Sequence, residues 1–177
     1  MPALWIAHVT VTDAEAPSIS GMPADISLNA VAAGDTCSAA ASWTAPTASD
    51  NCAVTSFTST HNSGDSFGTG TTTVTYTAMD AAGNTTTATF TVTVTDNDAP
   101  SISGMPGNIT QSNDAGSCAA AVTWTEPTMS DNCGATLTST HDPGVMFGVG
   151  TTTVIYTAVD EAGNTTTASF NVQVQDT

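Results

Sequence analysis

Neither lysine nor arginine occurs among the 177 residues, against sixteen aspartates and glutamates, so the formal net charge is −16 with histidine neutral. Nothing in such a chain can neutralise a phosphate, which excludes nucleic acid and anionic membrane surfaces as partners. Internal ion pairs are excluded as well, apart from those of the N-terminal amine or a protonated histidine. The carboxylates therefore repel one another unless counter-ions or a bound metal sit among them. Long apolar runs are missing too. None approaches the roughly 20 residues of a membrane span, so no membrane insertion by a helix is expected. The opening MPALWIAHVTVT lacks the basic segment and long apolar stretch of a secretion signal, and the chain reads as a mature or excised piece. No window of eleven residues shows a helical period.

What is present is a repeat. From Pro17 the chain reads APSISGMPADI, CSAAASWTAPTASDNC, STHNSGDSFGTGTTTVTYTAMDAAGN and FTVTVTD; from Pro100 it reads APSISGMPGNI, CAAAVTWTEPTMSDNC, STHDPGVMFGVGTTTVIYTAVDEAGN and FNVQVQD. Pro17 matches Pro100, Cys37 matches Cys118 and Tyr76 matches Tyr156, with the offset slipping from 83 to 81 to 80 residues between strands. The opening HVTVTD, His8 to Asp13, copies the repeat ending TVTVTD at Thr91 to Asp96, as if a third copy had left its last strand.

Strict alternation dominates each copy. Val74, Tyr76 and Ala78 share one face, as do Phe90, Val92 and Val94, with threonines between them on the other. Threonine suits the pleat, and its hydroxyl keeps an outer face wet. Strands are expected near residues 18–29, 38–44, 53–60, 65–68, 71–79 and 85–95, with equivalents in the second copy. Short strands separated by Gly, Pro, Asn and Asp turns predict an all-β chain: two tandem immunoglobulin-like β-sandwich domains, 14–96 and 97–177, preceded by an orphan N-terminal β-strand at 1–13. Trp43 and Trp124, placed on the second strand, should fill the cores beside Tyr76 and Tyr156. A unit of about 80 residues buries only about 60% of its unfolded surface, so cross-links would help it.

The succession of AP, a strand, W-T-x-P-T-x-S-D-N-C, F-G-x-G-T-T-T-V-x-Y-T-A-x-D-x-A-G-N and a closing V-x-V-x-D resembles the hyalin repeat, or HYR, family of extracellular immunoglobulin-like modules. The resemblance covers nearly all of the chain from residue 13, twice. It departs from the family where many members carry further cysteines, here Met22 and Met105 before the early proline and Thr89 and Ser169 before the final F-x-V. It implies secreted or surface proteins with adhesive or structural roles and no catalytic activity.

Each copy has two cysteines fifteen positions apart, Cys37 with Cys52 and Cys118 with Cys133. An even count recurring in each repeat, with no histidine at zinc-ligand spacing, predicts two bridges within the domains. Each would contribute roughly 3 kcal/mol by closing a loop of about 15 residues. The alternative is two free thiols per domain, as a cytosolic protein would show.

In an immunoglobulin-like sandwich, the loop after the second strand and the loop before the last lie at the same pole as the N-terminus. That pole gathers Asp50 and Asp80 beside Asp13 and Glu15 in copy one, and Asp131 and Asp160 beside Asp96 and Asp98 in copy two. The opposite pole of copy one, with Asp35 and Asp65, should face the second cluster. Four to six converging oxygens suit calcium, which takes 6 to 8 in flexible geometry. The linker TDNDAP also resembles, over that short stretch, the calcium-binding linker of cadherins. Against this, DAAGN and DEAGN, Asp80 to Asn84 and Asp160 to Asn164, are good hairpin turns in their own right. Both readings stay open.

Three sequons occur, at Asn84, Asn108 and Asn164, so glycans are expected if the source glycosylates. His61 and His141 occupy matching turns and read as hydrogen-bonding surface residues. No serine, cysteine or carboxylate pair comes with a base and an oxyanion donor, and an enzyme is not expected. The T-x-T ladders also suit ice-binding sheets, a reading that a thermal-hysteresis assay would separate.

Trp5, Ala7, Val9 and Val11 would share one face of the leading strand, a pattern suited to burial. Pairing of this strand with a neighbouring molecule would be head-to-tail and would grow a filament. The chain is accordingly expected to be a structural subunit of an extracellular fibre, a head-to-tail homopolymer joined through Trp5 to Thr12. The alternative is an excerpt of a cell-surface adhesin stalk, or a ligand-binding accessory module.

Overall fold

The structure is a computed structural model that describes residues 9–33 and 36–177. Repeat one supplies β1 (Ser18–Ser20), β2 (Ile26–Asn29), β3 (Val31–Ala33), β4 (Thr36–Ala40), β5 (Thr47–Ser49), β6 (Val54–Ser59), β7 (Ser66–Gly68), β8 (Gly70–Asp80) and β9 (Thr85–Thr95). Repeat two supplies β10 (Ser101–Ser103), β11 (Ile109–Ser112), β12 (Ala119–Ala121), β13 (Thr128–Ser130), β14 (Ala135–Ser139), β15 (Met146–Gly148), β16 (Gly150–Asp160) and β17 (Thr165–Gln175). All regular elements among the described residues are strands, and no helix among them is long and apolar enough to cross a membrane. The chain is all-β, with two tandem immunoglobulin-like repeats.

The longest strands are those with the cleanest alternation. β8 and β9 pair antiparallel in unbroken register from Gly70 opposite Val94 to Met79 opposite Thr85. Val74, Tyr76, Ala78, Phe90, Val92 and Val94 face inward and are buried. The intervening threonines line the other face, and Thr71 and Thr93 hydrogen-bond across it at 3.1 Å. The sheet runs in the order β2-β9-β8-β6, and its counterpart in repeat two runs β11-β17-β16-β14.

The continuous first strand expected over 18–29 is instead two strands. Proline has no N–H to give to a ladder, and Pro23 and Pro106 fall where the chain changes partner. Ahead of the break, β1 and β10 pair antiparallel with β5 and β13. Beyond it, β11 runs parallel to β17, with Ile109 opposite Val172. The strand expected over 38–44 ends at Ala40, and Trp43 and Trp124 lie past the strand ends in irregular backbone. They still pack as expected. The Trp43 indole sits edge-on to Phe90 at 5.1 Å and donates to the Tyr76 hydroxyl at 2.8 Å; Trp124 does the same with Phe170 at 5.2 Å and Tyr156 at 2.7 Å.

The chain divides into two compact units, Met1–Leu28 with Ala40–Val94, and Asn29–Ala39 with Thr95–Thr177. Unit one is centred on the buried face of β8 and β9 with Phe67 of β7. Unit two is centred on Val122, Phe147, Val154, Tyr156, Phe170, Val172 and Val174, with Ile102, Met105, Ile109, Trp124 and Leu137 packed around them. The segment Asn29–Ala39 therefore belongs to repeat one by sequence and to unit two by packing. Within unit two, the Ala30 N–H donates to the Thr95 carbonyl at 2.8 Å, and the Asn97 amide donates to Asn29 Oδ1 at 3.0 Å.

The leading strand expected over 1–13 is not seen where the chain is described. Residues 9–17 carry no strand, and Val9 and Val11 are 81% and 90% exposed because no sheet edge takes up their backbone. Trp5 and Ala7 lie outside the described residues.

Candidate metal centres and the cysteines

Three carboxylates converge in each unit. In unit one these are Asp13, Asp50 and Asp80; in unit two they are Asp96, Asp131 and Asp160. One oxygen from each lies within 4.8 Å of the other two in its trio.

Asp80 and Asp160 end β8 and β16 and close the hairpins. The Asn84 N–H donates to Asp80 Oδ1 at 2.8 Å and the Asn84 amide to Oδ2 at 2.7 Å, while Gly83 supplies the positive φ of 93° that the turn needs. Asn164 and Asp160 repeat the pattern at 2.7 and 2.8 Å. Burial is the largest single influence on both aspartates and raises their pKa. The combined bonds from the side chain of Asn84 or Asn164 and from the N–H groups of that asparagine and of the glycine and alanine before it outweigh burial and hold both below the ordinary value. They are carboxylates inside the fold, 2% and 7% exposed.

The other members are set by short loops. Asp50 Oδ2 accepts from the Cys52 N–H at 2.8 Å, and Asp131 Oδ2 from the Cys133 N–H at 2.8 Å. Asp13 Oδ1 accepts from the Glu15 N–H at 3.1 Å, and Asp96 Oδ1 from the Asp98 N–H at 3.2 Å. Each of these four acids thus spends one oxygen on the backbone. The second oxygens, Asp13 Oδ2, Asp50 Oδ1, Asp96 Oδ2 and Asp131 Oδ1, are buried without a hydrogen-bond partner. Asp96 itself is only 8% exposed. Buried, orphaned oxygens on adjacent carboxylates are unfavourable twice over, by lost hydration and by mutual repulsion. Hard oxygen donors in this arrangement fit calcium.

The sequence gathered more acids at these poles than the structure does. The Glu15 and Asp98 side chains stand outside the trios, and Asp98 Oδ2 instead accepts from the Asn132 and Asn29 amides at 3.3 and 3.4 Å. Asp65 serves a turn, its Oδ2 accepting from the Asn62 N–H at 2.7 Å. Asp35 lies outside the described residues. Sequence reasoning missed Asn132, whose Oδ1 is buried and unpartnered beside the second trio while its amide reaches Asp96 Oδ1 at 3.1 Å. The D-N-C triplet recurring in both repeats was the available signal.

Both hairpins make the expected turn bonds. Asn84 and Asn164 use their amides inward, on Asp80 Oδ2 with the Asp13 and Glu15 carbonyls, and on Asp160 Oδ2 with the Asp96 carbonyl. Of the three sequons, Asn108 is the exposed one; its Oδ1 accepts from the Asn171 N–H at 2.9 Å. His61 and His141 bond the neighbouring threonine hydroxyls and lie against Phe67 and Phe147.

The cysteines are not paired within repeats. Cys37 is bonded to Cys133, 96 residues away, with Cα atoms 4.7 Å apart inside unit two. Cys52 and Cys118 are exposed free thiols. The expected Cys37–Cys52 and Cys118–Cys133 bridges are therefore replaced, because the segment carrying Cys37 is built into the unit that holds Cys133. Beside Cys52, the Asp13 carboxylate is the largest influence, and with partial desolvation and the charges of Asp50 and Asp80 it pushes the thiol above its ordinary value.

The HYR domain model matches residues 12–94 and again 95–174. The chain belongs to the HYR family. Hyalin of Lytechinus variegatus is 44% identical over 137 residues, 75% of this chain and 26% of that protein. Hyalin of Strongylocentrotus purpuratus is 37% identical over 138 residues, 75% of this chain and 12% of that protein. A Sushi, von Willebrand factor type A, EGF and pentraxin domain-containing protein 1 of Rattus norvegicus is 36% identical over 97% of this chain and 5% of that protein. The chain thus spans at most about a quarter of the length of these curated relatives. Solved structures that align with it include protocadherin gamma B7 cadherin domains 1–4, at 15% identity and a TM-score of 0.35 over 92% of this chain and 51% of that one. Drosophila N-cadherin EC1-4 aligns at 14% identity and a TM-score of 0.34 over 91% and 50%. As a pair of HYR repeats this is a hyalin-like, extracellular or cell-surface repeat protein.

Proposed function

We propose that each HYR repeat binds one calcium ion at its acidic trio, and that the chain is a structural segment of an extracellular array. The observation that carries this reading is the set of orphaned oxygens on Asp13 and Asp50 and on Asp96 and Asp131, buried in a chain with no lysine or arginine to answer them. The trio oxygens, bidentate binding and water reach the 6 to 8 donors calcium takes. Bound calcium offsets the repulsion within each trio and fixes the loops that carry it, which turns a soft sandwich pole into a stiff one. At calcium 100-fold above the dissociation constant, each site adds about 2.7 kcal/mol. For a unit of about 80 residues that raises Tm by about 10–20 °C. Thermal unfolding in millimolar calcium against chelator tests it; Asp50→Asn and Asp131→Asn should each remove one site's share, and an unchanged Tm would reject the reading.

A second feature favours self-association. Val9 and Val11 present uncovered apolar surface at 81% and 90% exposure, which supports a fibre joined head-to-tail through the leading segment. Removing residues 1–12 should then abolish species larger than the monomer in light scattering, and undiminished assembly would reject this role.

A further inference from the structure

We propose that Cys118 and Cys52 are the two halves of a second bond of the Cys37–Cys133 kind, made with a further HYR repeat, so that successive repeats are joined covalently. The inference rests on the head-to-tail order of repeats proposed above and is independent of calcium.

The repeat itself supplies the template. Cys37 is equivalent to Cys118 and Cys52 to Cys133, so the bond present in unit two joins the first cysteine of one repeat to the second cysteine of the next. Cys118 is then a first cysteine, and Cys52 a second cysteine, that these two repeats do not pair. Both are exposed.

The surroundings of Cys52 match those of Cys133 in the bonded pair. Cys52 follows Asp50 as Cys133 follows Asp131, each N–H donating to the aspartate Oδ2 at 2.8 Å, and each stands beside an equivalent acidic trio. On the other side, the Ala30 N–H that anchors the segment of Cys37 to the Thr95 carbonyl at 2.8 Å has its counterpart in Asn113, bonded to the Gln175 carbonyl at 2.9 Å. A repeat preceding unit one would thus bring its own version of Asn29–Ala39 to Cys52. The next repeat would meet Cys118 at the repeat position of Cys37, here in an exposed bend just ahead of β12 where Cys37 lies in β4.

The chemistry needs a two-electron oxidant, and a low-molecular-weight disulfide such as oxidised glutathione supplies it. The Cys118 thiolate attacks one sulfur of that disulfide and releases one glutathione thiol. The Cys52 thiolate of the other repeat then attacks the Cys118 sulfur of the mixed disulfide and releases the second. The protein thiols lose two protons and two electrons, and one disulfide becomes two thiols.

The test uses the full chain in a glutathione redox buffer, with two arms. In the first, Cys52→Ser chains, which keep Cys118, are mixed with Cys118→Ser chains, which keep Cys52. The mixture should give a dimer on a non-reducing gel with a Cys52–Cys118 peptide by mass spectrometry, while either variant alone stays at least tenfold less dimeric. In the second, Gln175 of one copy is continued into Asp13 of another, which sets Cys118 and the second Cys52 within a residue of the 96-residue separation of Cys37 and Cys133. A Cys118–Cys52 bond in both arms identifies a second copy as a competent partner. A bond in the tandem alone identifies the next repeat of one polypeptide. Free thiols in the tandem, or equal dimerisation of each variant with itself, would overturn the proposal. Light scattering in reductant separates this from loss of head-to-tail association, which would fail with or without the bond.

Discussion

Replacing Cys133 with serine opens the loop of 96 residues that its bond to Cys37 closes. In the chain-entropy treatment, a loop of that length restrains the unfolded chain by about 4.7 kcal/mol, against about 3 kcal/mol for a loop of about 15 residues. The variants Cys37→Ser and Cys133→Ser should therefore each lower the unfolding free energy by several kcal/mol, up to about 4.7. Cys52→Ser and Cys118→Ser change exposed thiols and should stay within about 0.5 kcal/mol of the parent. Urea unfolding of the four variants, with and without reductant, reads this directly. Reductant should bring the parent down to the level of Cys133→Ser and leave that variant unmoved. If Cys52→Ser cost as much as Cys37→Ser, the bridges would lie within the repeats after all, and the placement of Asn29–Ala39 in unit two would be wrong.

Asp25 accepts from the Thr91 N–H at 2.7 Å, and that bond, with a further one to the Thr91 side chain, holds its carboxyl below the ordinary value. Its contribution is present above pH 3.8 and is lost as pH falls through the lower folded pKa. Asn108 makes the same bond without titrating, so Asp25→Asn should flatten the acid limb of the stability curve; an unchanged limb contradicts the assignment. Ala53 follows Cys52 with φ at 107°, where repeat two has Gly134 at 84°. Ala53→Gly should therefore gain about 0.5–1 kcal/mol and Gly134→Ala lose about 1–2 kcal/mol in denaturant unfolding. Tyr76→Phe leaves the half-buried Trp43 N–H without its 2.8 Å acceptor and should cost about 1–2 kcal/mol, with Tyr156→Phe matching it.

Much of this molecule is legible in its residues because the deciding physics is local. The alternation in GTTTVTYTAMD and TTTATFTVTVT carries its own facing, and D-x-A-G-N names its turn, so β8, β9 and the hairpin carboxylates could be placed from sequence. The gathering of Asp50, Asp80 and Asp13 was legible one step further on, because the fold class brings those loops to one pole. Prolines misled where their effect is on partner choice. Pro23 and Pro106 split a strand that looks continuous by composition. The cysteine pairing was illegible for a different reason. Fifteen residues and 96 residues are equally allowed by composition, and the choice depends on which unit the segment Asn29–Ala39 packs into. That is a property of long-range contacts and leaves no mark on the segment's own residues. Asn132 was overlooked because an asparagine beside an aspartate in a turn already has an ordinary reason to be there.

Isothermal titration of the oxidised chain with calcium, in a buffer free of other divalent ions, is the most direct test of the central claim. Two ions per chain are expected, falling to one in Asp50→Asn or Asp131→Asn and to none in the double variant. Absence of binding at millimolar calcium, or binding that ignores both substitutions, would contradict it.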